Sequence, residues 1–207
     1  IVIGEDGKPT CQMVLDDGTV TTGDYDLVPI LEKFCEQHPD FSYKGARAVL
    51  AFTGYEGILG YRTSSSYAGS ETYDQDRQAA AEVAKCLREH GWELASHSWG
   101  HLDLGTVEWD RFQSDTDKWE SEVESLIGPT DIILFPFGAD LGDWHPYTME
   151  NERFRYLYNA GFRYFCNVDS SQYWVQLGDD YLRQGRRNLD GYRMYYDLPE
   201  TNPEKDH

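Results

Sequence analysis

The sequence predicts an α/β fold built on a parallel sheet or barrel, and three observations carry that prediction. Short apolar runs alternate with longer amphipathic ones in the order strand, helix, strand, helix. At 207 residues the chain suits one domain with a sizeable core. Chemically capable residues follow the carboxyl end of almost every predicted strand, the edge where α/β barrels build their active sites.

The elements follow in order. Gln12-Met13-Val14-Leu15 is a short apolar strand ended by the polar turn Asp16-Asp17-Gly18. Asp24 can cap a helix from Tyr25 to Gln37, with Leu27, Ile30, Leu31 and Phe34 on its apolar side, and His38-Pro39-Asp40 stops it. Ala46 to Thr53 is a second strand. Tyr55 to Ser70, rich in Gly, Ser and Tyr, is a long loop of the kind that is usually functional. Asp74 or Asp76 starts a helix through His90, with Gly91 as its end, and Trp92 to Ser96 is a third strand leading straight into His97. Thr106 to Ile127 is helical until Gly128-Pro129. A fourth strand covers Asp131 to Leu134, a helix Met149 to Ala160, and a fifth strand Tyr164 to Val168. One more strand is expected near Leu189 to Tyr195. Residues 1–198 thus form one domain, and the polar tail 199–207 is expected to be disordered.

Composition narrows the function. There are 37 acidic and 18 basic residues, a formal net charge of −19. Such a chain repels phosphate backbones and anionic surfaces, so nucleic acid is excluded and a neutral or cationic substrate is favoured. No apolar run reaches the 18 residues of a membrane span. No export signal is visible, and the opening Ile1-Val2-Ile3-Gly4 reads as a trimmed or mature chain. The 15 Tyr and 6 Trp exceed what a core of this size needs; surplus rings of this kind often line sugar-binding grooves. Cys11, Cys35, Cys86 and Cys166 are scattered with no C-x-x-C spacing, which argues against a cysteine zinc site and for buried free thiols. Neither a dinucleotide-binding glycine fingerprint nor a phosphate-binding loop is present.

Two features bear chemistry. His97-Ser98-Trp99-Gly100-His101 sets two imidazoles four apart directly after a strand, where both can point at one ion. Asp16-Asp17 offers two carboxylates at another strand end. Neighbouring residues there point different ways, so one can bind a metal while the other stays free as a base. Taken alone, each is commonly a turn or an accident of spacing. Together they describe two histidines and one carboxylate, the protein share of a catalytic divalent-metal site with an open position. Zinc suits this set, and other divalent transition metals would also bind.

Met13-Val14-Leu15-Asp16-Asp17-Gly18 resembles the first motif of the polysaccharide deacetylases (carbohydrate esterase family 4). Gly91 to His101 resembles their second motif, H-[ST]-x-x-H, in its strand context, and Phe135-Pro136-Phe137-Gly138 is similar to an aromatic form of their third. The resemblance runs from about Met13 to Asp190. It implies a distorted (β/α) barrel that hydrolyses acetyl groups from acetylated polysaccharides. It also implies that Asp17, His97 and His101 hold the metal and that Asp16 is the catalytic base. Ser98 would brace the second-motif loop, and Phe137, Asp169 and Trp174 would line the substrate groove. In such a site the metal lowers the pKa of a bound water and polarises the acetyl carbonyl, and the base takes the water's proton. A cell-wall glycan as substrate implies action outside the cell or in its envelope.

Two departures from that pattern stand out. Phe135 occupies the place of an Arg that braces the base, and Arg183, Arg186 or Arg187 could supply that charge from elsewhere. The fifth motif has no His; Arg187-Asn188-Leu189-Asp190-Gly191 stands in its place, leaving His145 or Asp190 as replacement acids. The alternatives are a binding domain of the same fold without turnover, and a related C–N hydrolase acting on a small molecule.

Overall fold

The computed structural model describes residues 1–169 and 173–196. Its fold is mixed α/β. The main sheet holds β4 (Val49–Phe52), β5 (Glu93–Ser96), β6 (Ile132–Leu134), β7 (Tyr164–Val168), β8 (Trp174–Leu177) and β9 (Leu182–Arg186) in the order β4-β5-β6-β7-β9-β8. Neighbours from β4 to β9 run parallel, and β8 returns antiparallel on β9. A second sheet of three antiparallel strands holds β1 (Val2–Ile3), β2 (Pro9–Val14) and β3 (Val20–Gly23).

The helices between the parallel strands are α2 (Tyr73–Glu89), α3 (Trp109–Trp119) and α5 (Glu152–Ala160). A π-helical stretch, Glu120–Glu124, carries α3 on into α4 (Ser125–Ile127). One sheet face sends Leu94, Ile133 and Phe165 into the core. There they meet Ala80, Val83, Ala84 and Leu87 of α2, Phe112 and Trp119 of α3, and Phe154 and Leu157 of α5. Alternation in the strands sets this face, and the 3.6-residue period sets the helix stripes that cover it.

Three expectations are corrected. The Gln12 to Leu15 strand does not enter the parallel sheet; it pairs with β3 across the Asp16-Asp17-Gly18 turn and lies against α1 (Leu27–Gln37) and α2. The chemistry of that turn explains the pairing. Gly18 takes φ +83°, Leu15 N–H donates to Thr19 O at 2.8 Å, and the run Val20-Thr21-Thr22 continues as the partner strand. Asp26, not Asp24, caps α1, its carboxylate accepting from Leu27 N–H. The strand expected near Leu189 to Tyr195 is instead helix α6 (Gly191–Tyr196). The backbone oxygen of Asp190 accepts from Met194 N–H, and its carboxylate accepts from Arg193 N–H at 2.8 Å. The expected tail, 199–207, lies outside the described residues. All four cysteines are buried free thiols. Among the described residues, no helix is long and apolar enough to cross a membrane.

Candidate active site at the sheet's carboxyl edge

Strand β5 ends at Ser96 and delivers His97 to the edge, where its N–H donates to Phe52 O at 2.9 Å. The ring's Nδ1 lies 2.7 Å from Leu134 O. A carbonyl can only accept, so Nδ1 carries the proton and Nε2 keeps a free lone pair. Burial pushes the His97 pKa down, aided by the nearby His101 and Arg186, while the bond to Leu134 pulls it back up. The imidazole is therefore neutral at neutral pH, the form that can bind a cation or accept a proton. His101 stands edge-on to it, ring centroids 4.9 Å apart.

The loop between the two histidines is held by a residue the sequence reading did not single out. Asp115, buried on α3, accepts Trp99 N–H at 2.8 Å and Gly100 N–H at 2.6 Å. Ser98, also buried, accepts Leu102 N–H at 3.0 Å, which agrees with its expected bracing role. Ser98 and His101 take φ +57° and +54°, so the turn is left-handed at both positions and needs this support. A signal for Asp115 was present. It shares the buried stripe of Phe112, Thr116 and Trp119, where a carboxylate must have partners.

Strand β6 leads into Phe135, which is fully buried with its ring stacked near Phe165 at 6.3 Å. It fills core volume where the resemblance has a cation. Two candidate arginines are separated by the structure. Arg183 is fully buried and pairs with Asp140 at 2.9 Å. Arg186 reaches the edge, donating to Asn167 O and Phe135 O at 3.2 Å each, and its charge acts on His97. Asp169 sits beside it, its N–H donating to Arg186 O at 2.9 Å. Phe137 is exposed, takes φ +58°, and meets the His101 ring edge-on at 4.8 Å. Trp174, half-buried at the start of β8, lies against Gly185; a Cβ there would sit 2.3 Å from its Nε1, so only glycine lets the indole lie flat. His145 and Asp190, the candidate acids, are both exposed.

Asp16 and Asp17 stand apart from this edge group, at the exposed tip of the β2–β3 hairpin. Asp17 accepts Thr19 N–H at 2.9 Å, and its bonds to Thr19 hold its pKa below the usual carboxylate value. Among the described residues, no group of three His, Cys, Asp or Glu side chains comes together as a ligand set. The expected metal triad is thus assembled in part: His97 and His101 meet, and Asp17 does not join them.

No family model matches the chain, and no curated protein matches it. Among solved structures, it is similar to a crystal structure described as a "putative polysaccharide deacetylase" from Mycobacterium smegmatis, with 16% identity and a TM-score of 0.38. The match covers 72% of this chain and 61% of that one, so the chain spans less than two thirds of the structure it resembles.

Proposed function

We propose that the chain is a hydrolase that removes acetyl groups from a neutral N- or O-acetylated polysaccharide, on a fold that closes as a distorted (β/α) barrel. The observation that carries this reading is the His97–His101 pair. Both rings converge at the carboxyl edge of a parallel sheet, and His97 is fixed in the tautomer that leaves Nε2 free. Beside them stand the Arg186 guanidinium and the exposed ring of Phe137, with the Asp169 backbone bonded to Arg186. A neutral His97 can accept a proton from water, and the Arg186 guanidinium is suited to an oxyanion forming on an acetyl carbon. The net charge of −19 supports a neutral glycan over an anionic one. Such a substrate places the protein outside the cell or in its envelope.

The proposal includes a divalent cation, zinc by donor type, on His97 and His101. These two imidazoles fit that role. The third protein donor does not: Asp17 lies in the hairpin turn, so the described residues supply no complete set. The same placement favours a second reading, a carbohydrate-binding domain without turnover, because Asp16 as base lies in that turn too.

One experiment separates the two. Bound metal is measured on the purified chain, and acetate release is followed from N-acetylglucosamine oligomers and acetylxylan. Asp16→Asn, Asp17→Ala and His97→Ala are measured alongside. Acetate release by the parent chain that is lost in His97→Ala supports the hydrolase. Glycan binding with no release, with or without added zinc, supports the binding domain.

A further inference from the structure

The loop between β6 and α5 holds a second aromatic feature beyond Phe137. Gly142, Asp143, Trp144 and His145 form a tight turn closed by His145 N–H on Gly142 O at 2.9 Å. Both central residues are left-handed, Asp143 at φ +47° and Trp144 at φ +67°. That conformation is costly for a side chain as bulky as Trp, and it persists only where neighbouring contacts over-determine it.

Asp140 supplies those contacts. Its carboxylate accepts Arg183 at 2.9 Å, Tyr147 OH at 2.7 Å, Gly142 N–H at 3.2 Å and the N–H of Trp144 itself. Arg183 completes the frame, donating to His145 O at 2.5 Å from a fully buried site. All this polar structure holds up a ring that is 56% exposed. Trp144 is therefore not a core residue held by packing. Trp174 lies 5.6 Å from it at 74° and leans on β9 and on the Arg183 guanidinium.

We propose that Trp144, backed by Trp174, is a stacking subsite for a pyranose ring of a neutral glycan, further along the loop that brings Phe137 to His101. This rests on the carbohydrate reading above. A rigid exposed indole offers a flat apolar face to sugar C–H bonds, and acceptors on either side, Asp143 and the His145 ring, suit hydroxyl groups. An acidic polymer is disfavoured by the charge of the chain.

The test uses the full chain after chelation, so that binding is read without turnover. An N-acetylglucosamine tetramer is titrated by calorimetry and tryptophan fluorescence, with a galacturonate tetramer as the acidic control. Trp144→Ala should weaken the neutral tetramer roughly tenfold, an energy of about 1.4 kcal/mol. Trp144→Phe should stay within threefold of the parent. Asp140→Asn, which frees the turn but keeps the ring, should fall toward Trp144→Ala. If Asp140→Asn does not fold, Trp144→Ala still decides, because its ring is exposed. Unchanged affinity in Trp144→Ala, or tighter binding of the acidic tetramer, overturns the subsite. Absence of any binding to the neutral tetramer overturns it as well. Acetate release, measured on the same chain with zinc restored, reads the parent proposal separately: binding that depends on Trp144 with no release then upholds the subsite and sinks the hydrolase.

Discussion

The carboxylate of Asp115 holds the amide of Gly100 at 2.6 Å, so the turn that carries both histidines is anchored to helix α3 as well as to the sheet. Asp115→Ala would leave two backbone N–H groups without partners in a mostly buried place. It should cost about 2–4 kcal/mol in urea unfolding. It should also broaden the His101 imidazole resonances, because the turn loses its anchor. Ser98→Ala removes one acceptor and should cost about 1 kcal/mol.

Arg183 and Asp140 form an ion pair with the guanidinium fully buried and the carboxyl side chain 11% exposed. Removing one partner leaves the other as an uncompensated charge. Arg183→Ala should destabilise by about 3–5 kcal/mol, measured by thermal or urea unfolding. Arg183→Met, which keeps most of the volume, should cost less than Ala. An equal cost in both would show that the lost charge, and not the lost volume, sets the penalty.

Glu120 lies in the π-helical stretch with Oε1 buried and without a hydrogen-bond partner. Burial, with Glu124 and Asp117 nearby, pushes its pKa from 4.5 up to about 7. The folded chain thus holds this proton to higher pH than the unfolded chain does. Its contribution is most favourable below about pH 4.5, declines as pH rises to about 7, and is flat beyond. Glu120→Gln should remove that decline and raise stability at pH 8 by on the order of 1–3 kcal/mol, allowing for partial exposure. Unfolding curves of both proteins between pH 5 and 8 would show it. Parallel curves would refute the assignment.

Phe137 combines 74% exposure with φ +58° and contact to His101. Phe137→Gly should be neutral to about 1 kcal/mol stabilising, because it relieves the left-handed backbone and loses little buried area. The same variant should bind N-acetylglucosamine oligomers several-fold more weakly. Stabilisation with full binding would show that the ring has no part in the site.

The fold was legible where pattern and termini agreed. Helix α2 was expected from Asp74 or Asp76 to His90 and spans Tyr73–Glu89, because its apolar stripe, its acidic start and Gly91 all point the same way. Strand β9 was not legible. Its sequence, Leu-Arg-Gln-Gly-Arg, lacks alternation because Arg183 is buried against Asp140, a partner 43 residues away. Helix α6 was not legible, because Tyr192 and Tyr195 have high β-propensity, yet both are exposed on the helix. The site divides in the same way. His97 and His101 could be placed together from four-residue spacing after a strand. Asp17 could not, because a turn's local chemistry is visible in sequence and the sheet it joins is not. That Arg183 turns into the core and Arg186 reaches the edge depended on β9, so the two could be told apart only in three dimensions.

Asp140 and Arg183 also impose an order on synthesis. The turn bearing Trp144 gains Arg183, the distant half of its frame, only after β9 has paired with β7, some 43 residues beyond Asp140. During translation, therefore, the histidine loop can dock on α3 while the neighbouring indole still lacks its frame. A ribosome stalled before Arg183 would display a protein with its histidine turn in place and its aromatic wall unbuilt.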